Sequence, residues 1–290
     1  MSYFWTLVVY GAVVGSLYGL IAMGFAMIYK VSGVINFAQG EMMMLIAYIA
    51  YTVALQTGGN LLVQFVVIVV VSGLVGVVIE RLIVRPMLGR SVFSIVMLTI
   101  ALAVLIRSIV GLLWDTDAHR YPIEAGRAII NVFGINLMAA QLLLLAAFFV
   151  TCIALWAFLR FSIIGVALRA TAVDPTVTML MGISVKSVYR AAWVISALIS
   201  GMAGVLYANI YHIGPDLAAI GTRAFPAAIL GGLDSILGAG VAGVIIGVVE
   251  NLAGGYLGSG YKEIAGFVVV LLVLMVKPYG LFGEREIERV

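Results

Sequence analysis

Apolar runs follow one another from Leu7 to Val276 with only short polar breaks between them. A chain patterned this way can satisfy its backbone and hide its surface only as helices inside a bilayer. Hydrophobic residues make up 64% of the 290 and charged residues 10%, against roughly a quarter charged in an ordinary soluble domain. The alternating pattern of a membrane barrel is absent. The expected fold class is therefore all-α: a polytopic transmembrane helical bundle in which residues 1–290 form a single membrane domain.

Hydropathy places spans near Leu7–Tyr29, Met42–Leu55, Leu62–Ile79, Phe93–Leu113, Leu137–Leu159, Tyr189–Tyr211 and Ile264–Val276. The start lacks a basic leader region, so a first span is expected there instead of a cleaved signal. The run from Arg223 to Asn251 decides the topology. Splitting it into Ala224–Leu233 and Ile236–Glu250 gives nine crossings and places eleven basic residues inside and four outside, with Arg107 in a span; this is the distribution the positive-inside rule favours. A ten-residue piece cannot cross alone, so Ala224–Leu233 is expected to be broken or re-entrant and to face protein or water. The same rule puts the polar interval of about 160–187, with Arg160, Arg169, Lys186 and Arg190 around the single acid Asp174, in the cytoplasm. It reads as a place where a soluble partner grips the bundle.

Two constellations hold polar groups against apolar runs. In Ser32–Glu41, the side chains of Asn36, Gln39 and Glu41 either offer hydrogen bonds to a polar solute or cap a helix start, with Asn36 as the cap. In Phe225–Glu250, Gly231 and Gly232 permit an abrupt turn, and Asp234 and Ser235 can cap the next helix. Gly240, Gly243 and Gly247 share a face and allow close helix packing, while Glu250 either snorkels toward the interface, the reading favoured here, or lines the solute entrance. The interruptions near Asn36 and Gly231 suggest an internal repeat around a central pathway. Glu80 and Arg81 read as an interfacial ion pair, and Arg107 needs a partner or a polar interior. Met42–Met44 reads as apolar packing, and Cys152 as a small buried hydrophobe. The mixed-charge stretch Trp114–Asn136, with Asp115, Asp117, His119, Arg120, Glu124 and Arg127, reads as an outer loop that is either simply solvated, the reading favoured here, or a surface for a soluble partner. No metal-ligand spacing, catalytic triad order or Walker A lysine is present, and the positive charge is dispersed beside spans instead of forming a nucleic-acid patch.

Several segments together carry a resemblance: Gly15–Gly24, Ile35–Glu41, Arg169–Pro175 with Met181–Ile183, Phe225–Gly232 and Lys277–Gly283. Across nearly its whole length the chain resembles the LivH-like membrane subunits of high-affinity branched-chain amino acid ABC importers. It departs from the commoner family form at Gln39, where a histidine is usual, and at Met179–Ile183. The resemblance implies a multi-pass permease of the bacterial inner membrane, surrounded by lipid and without a catalytic site or cofactor of its own. It also implies a related second permease, two cytoplasmic ATPase subunits that bind ATP and Mg, and a periplasmic solute-binding protein, with no nucleic acid. A short helix within Gly165–Ile183 would couple the chain to the ATPases, with Gly165, Arg169, Ala170, Asp174, Pro175, Gly182 and Ile183 at that contact. Asn36, Gln39, Glu41, Gly231, Gly232 and Asp234 would border the solute pathway. The same architecture also suits urea, amides or small organic acids as cargo. An ion-coupled carrier is the competing class.

Overall fold

The computed structural model describes residues 3–283 apart from 88 and 133. Met1 and Ser2 at the expected first span, Arg285 and Arg289 among the basic residues expected inside, and the side chain of Glu124 lie outside the described residues. The described chain is helical except for one small hairpin. Its helices are α1 (Tyr3–Ser32), α2 (Gln39–Thr57), α3 (Leu61–Ile79), α4 (Val92–Trp114), α5 (Ala139–Phe161), α6 (Ile163–Val173), α7 (Pro175–Leu180), α8 (Val185–Ile210), α9 (Leu217–Gly231), α10 (Ile236–Tyr256) and α11 (Tyr261–Val276). Strand β1 (Ile129–Val132) pairs antiparallel with β2 (Ile135–Met138).

Two ends of the bundle can be told apart by their contacts. At the hairpin end, the Tyr10 hydroxyl donates to the Asn136 carbonyl at 2.7 Å, and His119 bridges Ile213. At the opposite end, Lys30 Nζ donates to the Asp234 carbonyl at 2.7 Å, and α6 and α7 follow the last turn of α5. Helices α1 to α5 and α8 to α11 each run toward one of these ends, so the described chain makes nine passes. Six of them are long and apolar enough to cross a membrane unaided. Helices α9 and α11, at 15 and 16 residues, are shorter.

Helix α9 begins seven residues before the Ala224 start expected from hydropathy. Arg223 made the run look interrupted, but its guanidinium meets Glu263 at 2.7 Å and the helix continues through it. The ion pair expected between Glu80 and Arg81 forms instead between Glu80 and Arg85, at 2.9 Å. Residues Glu80–Val84 adopt a π-turn, whose i→i+5 spacing brings positions 80 and 85 onto one face.

The central seam joins α1 to α10. Gly11, Gly15 and Gly19 of α1 lie against Gly247, Gly243 and Gly240 of α10, and a Cβ on Gly15 would stand 2.6 Å from the Val244 Cα. Small residues at four-residue spacing on both helices let the backbones touch, which is how helices associate where no hydrophobic effect drives them together. Gly76 of α3 meets the Val194 backbone of α8 in the same manner, with a built Cβ 2.7 Å from the Val194 Cα.

These two seams are counterparts. Helices α1 to α4 and α8 to α11 run in opposite senses through the same sequence of events: a long helix, a break, a helix with a shielded start, a glycine-led turn with a polar cap, and two further helices. Helix α2 ends at Gly58 and Gly59, and Asn60 caps α3; α9 ends at Gly231 and Gly232, and Ser235 caps α10. The internal repeat is thus present, with a corrected correspondence. The break near Asn36 matches residues 211–216, and Gly231 with Gly232 matches Gly58 with Gly59.

Candidate functional site

The starts of α2 and α9 meet inside the bundle. Gly40 lies directly on the backbone of Ala218 and Gly221, and a Cβ on Gly221 would be 2.5 Å from the Gly40 Cα. The level is set by Gln39, whose Nε2 donates to Ser196 Oγ at 2.9 Å and to Ser200 Oγ, near the middle of α8. Asn36 Nδ2 donates to Gln39 Oε1 at 3.0 Å, and Ser196 Oγ donates to the Gly24 carbonyl at 2.8 Å. Asn36 and Gln39 are 1% and 0% exposed, so this network satisfies groups that would be costly if left alone in the membrane interior. Asn36 is not the helix cap: Ala38 occupies that position, and Asn36 Oδ1 accepts from its amide at 3.1 Å.

Around this meeting point one lateral face carries charge. Arg107 of α4 donates to Glu41 of α2 at 2.6 Å, and its side chain is 58% exposed. A second such pair joins α9 to α11, Arg223 to Glu263 at 2.7 Å. Phe37, also exposed, packs on Phe225 between them. Exposed guanidinium groups in membrane-crossing helices do not tolerate hydrocarbon; such residues face protein or a water-filled cavity. Elsewhere α3, α5 and α11 present Leu, Ile, Val and Phe outward, as lipid contact requires.

Beside Arg223, a cavity of about 160 Å³ opens between α1, α5, α8, α9 and α11. Glu250 of α10 is not among the lining side chains and is 5% exposed. It does not snorkel as expected; it accepts a hydrogen bond from the Tyr18 hydroxyl. Tyr18, Arg223 and Lys262 were not singled out as site residues from the sequence. Tyr18 does fall in the Gly15–Gly24 motif, the one available signal.

Gly231, Gly232 and Asp234 belong to the opposite end. Gly232 has φ +95° and receives the C-terminal turn, with Leu281 N donating to the Leu230 carbonyl at 2.8 Å and Phe282 N to the Gly231 carbonyl at 3.2 Å. Ser235 accepts from Gly238 N as the α10 cap, while the Asp234 carbonyl takes Lys30.

The polar interval folds as two helices instead of one. Ser162 caps α6 through Gly165 N at 2.8 Å, and Gly165 lies so close to Leu159 that a Cβ would stand 2.7 Å from its Cα. Asp174 caps α7, accepting from Thr176 N at 2.7 Å and Val177 N at 3.1 Å, with Pro175 as the first helical residue. Gly182, at φ +81°, turns the chain into Ile183 and α8. Arg169 and Ala170 are exposed, together with Ile163 (89%), Val173 (88%), Leu180 (82%) and Met181 (77%). So many bare apolar side chains beside charge mark a surface made to be covered.

At the hairpin end, Asp115 accepts from the Asp117 amide and pairs with His119 at 3.1 Å. The amide, and then His119, hold its carboxyl below the ordinary range. No group of three or more metal-ligating side chains occurs among the described residues.

A family model described as the permease component of branched-chain amino acid transport systems matches residues 7–277. The chain is 33% identical to the high-affinity branched-chain amino acid transport system permease protein LivH of Escherichia coli K12, covering 97% of this chain and 96% of that one. It is 33% identical to the permease protein BraD of Pseudomonas aeruginosa, at the same coverage. Against a probable LivH from Methanocaldococcus jannaschii the identity is 29%, over 94% of this chain and 91% of the other. No solved structure matches the chain. The chain therefore belongs to the family of permease components of branched-chain amino acid transport systems.

Proposed function

We propose that this chain is the membrane-spanning permease subunit of an ATP-binding cassette importer in the bacterial inner membrane, moving branched-chain or related amino acids by alternating access. Energy comes from two separate cytoplasmic ATPase subunits that bind ATP and Mg. A periplasmic solute-binding protein delivers the solute at the hairpin end. A related second permease covers the charged lateral face, and the solute passes between the two chains, past the α2 and α9 starts.

The observation that carries this reading is the α6–α7 surface, with Ile163, Val173, Leu180 and Met181 bare beside Arg169. A short helical pair held by two polar caps and a tight glycine contact at Gly165 is stiff enough to pass on a push. Asp174 and Pro175 act there by shaping α7, while Arg169, Ala170 and Ile183 lie along the contact. In the assembled complex, Arg169→Glu is expected to abolish ATPase stimulation by the loaded binding protein while the subunits still co-purify. Unchanged stimulation would refute the assignment.

A further inference from the structure

We infer that the cavity between α1, α5, α8, α9 and α11 is a subsite for the charged end of a small zwitterion or carboxylate that has an aliphatic tail. The inference rests on the import reading above and names the part of the solute that this chain holds.

The lining divides by chemistry. Val13, Leu17, Ile210 and Ile220 contribute apolar lining, and Arg223, Lys262 and the tyrosines Tyr18, Tyr207 and Tyr211 contribute the polar part. The Arg223 guanidinium is paired with Glu263 through one nitrogen at 2.7 Å, which leaves further donors of its planar fork for a carboxylate. The Lys262 stem packs along Gly254, with side-chain carbons 3.6–3.7 Å from the position a Cβ would take. Its ammonium interacts electrostatically with Glu250 without a direct ion pair to it. Two acids stand behind the lining: Glu250, buried and bonded to Tyr18, and Glu263, exposed on α11 and paired with Arg223.

Size limits the guest. The cavity of about 160 Å³ equals roughly five water volumes at ~30 Å³ each. That is room for a carboxylate, its α-carbon and the start of a tail. Concave sites with an apolar wall and a few convergent polar groups are the usual form of small-molecule subsites.

The test uses the complete importer reconstituted in vesicles, with L-leucine and its uncharged-carboxyl analogue L-leucinamide as probes. Lys262→Gln should lower leucine uptake per ATP hydrolysed by ~tenfold, the effect of losing one charge-assisted hydrogen bond. Lys262→Arg should recover most of it, and leucinamide uptake should change much less. In a Cys152→Ser background, leucine should protect Lys262→Cys from an added thiol reagent, equally in phosphatidylcholine vesicles and in vesicles containing phosphatidylglycerol. Leucine and leucinamide falling together, or no change in Lys262→Gln, would overturn the subsite. So would protection that depends on the anionic lipid, which would assign the hollow to a headgroup. If the wild-type complex imports urea but no carboxylate, the import reading stands and the subsite falls. If it imports nothing with ATP, both fall.

Discussion

Gln39 shows how a polar side chain is kept in the middle of a membrane domain. Its amide joins Asn36, Ser196 and Ser200 in one buried network, so removing it strands several groups at once. Gln39→Leu is expected to destabilise the protein by ~2–3 kcal/mol, the penalty for unsatisfied buried polar groups, read as a lower unfolding midpoint of the purified complex. Gln39→His, which keeps a donor and an acceptor, should lose much less. The pair Glu41–Arg107 makes a similar case, since Glu41 is 9% exposed and depends on Arg107. Arg107→Met should therefore destabilise more than the double change Arg107→Met with Glu41→Met, because breaking a pair leaves a lone charge whereas removing both does not. A double-mutant cycle measures the difference. The polar groups in Ser32–Glu41 were legible in the sequence as needing partners. Their partners were not, because Ser196 and Ser200 lie far along the chain and look like ordinary small residues on an apolar helix.

At the scale of elements, glycine placement does most of the positioning. Gly243 faces the backbone of Gly19 so closely that no side chain fits. Gly243→Val should force α1 and α10 apart, lowering the yield of folded protein and broadening its size-exclusion peak, whereas Gly73→Ala, with open space around it, should do neither. The packing role of Gly240, Gly243 and Gly247 was readable from their spacing; that α1 is the receiving helix was not, since Gly11, Gly15 and Gly19 are common in any membrane helix. The split at Gly231 and Gly232 was also readable, from backbone freedom and the caps that follow. The true start of α9 was hidden by Arg223, because hydropathy treats a charge as an interruption and takes no account of its partner Glu263. For α6 and α7, charge bias marked the segment and Asp174-Pro175 divided it, since a capping acid followed by proline starts a new helix.

The whole molecule is two inverted sets of four helices, α1 to α4 and α8 to α11, joined through α5, α6 and α7. Such repeats place the solute path at their interface and let one set rock against the other. Here the α5–α7 connection carries the exposed apolar surface proposed as the ATPase contact, so a push on α6 and α7 would reach both sets through one link. The central claim is that transport along this path is driven by ATP through partner subunits. The direct measurement is uptake of labelled L-leucine into vesicles holding the complete complex, with ATP and the binding protein on their proper sides. Uptake that requires ATP and is lost in Arg169→Glu is the predicted result. Uptake that persists without the ATPase subunits and follows an imposed proton or sodium gradient would contradict it.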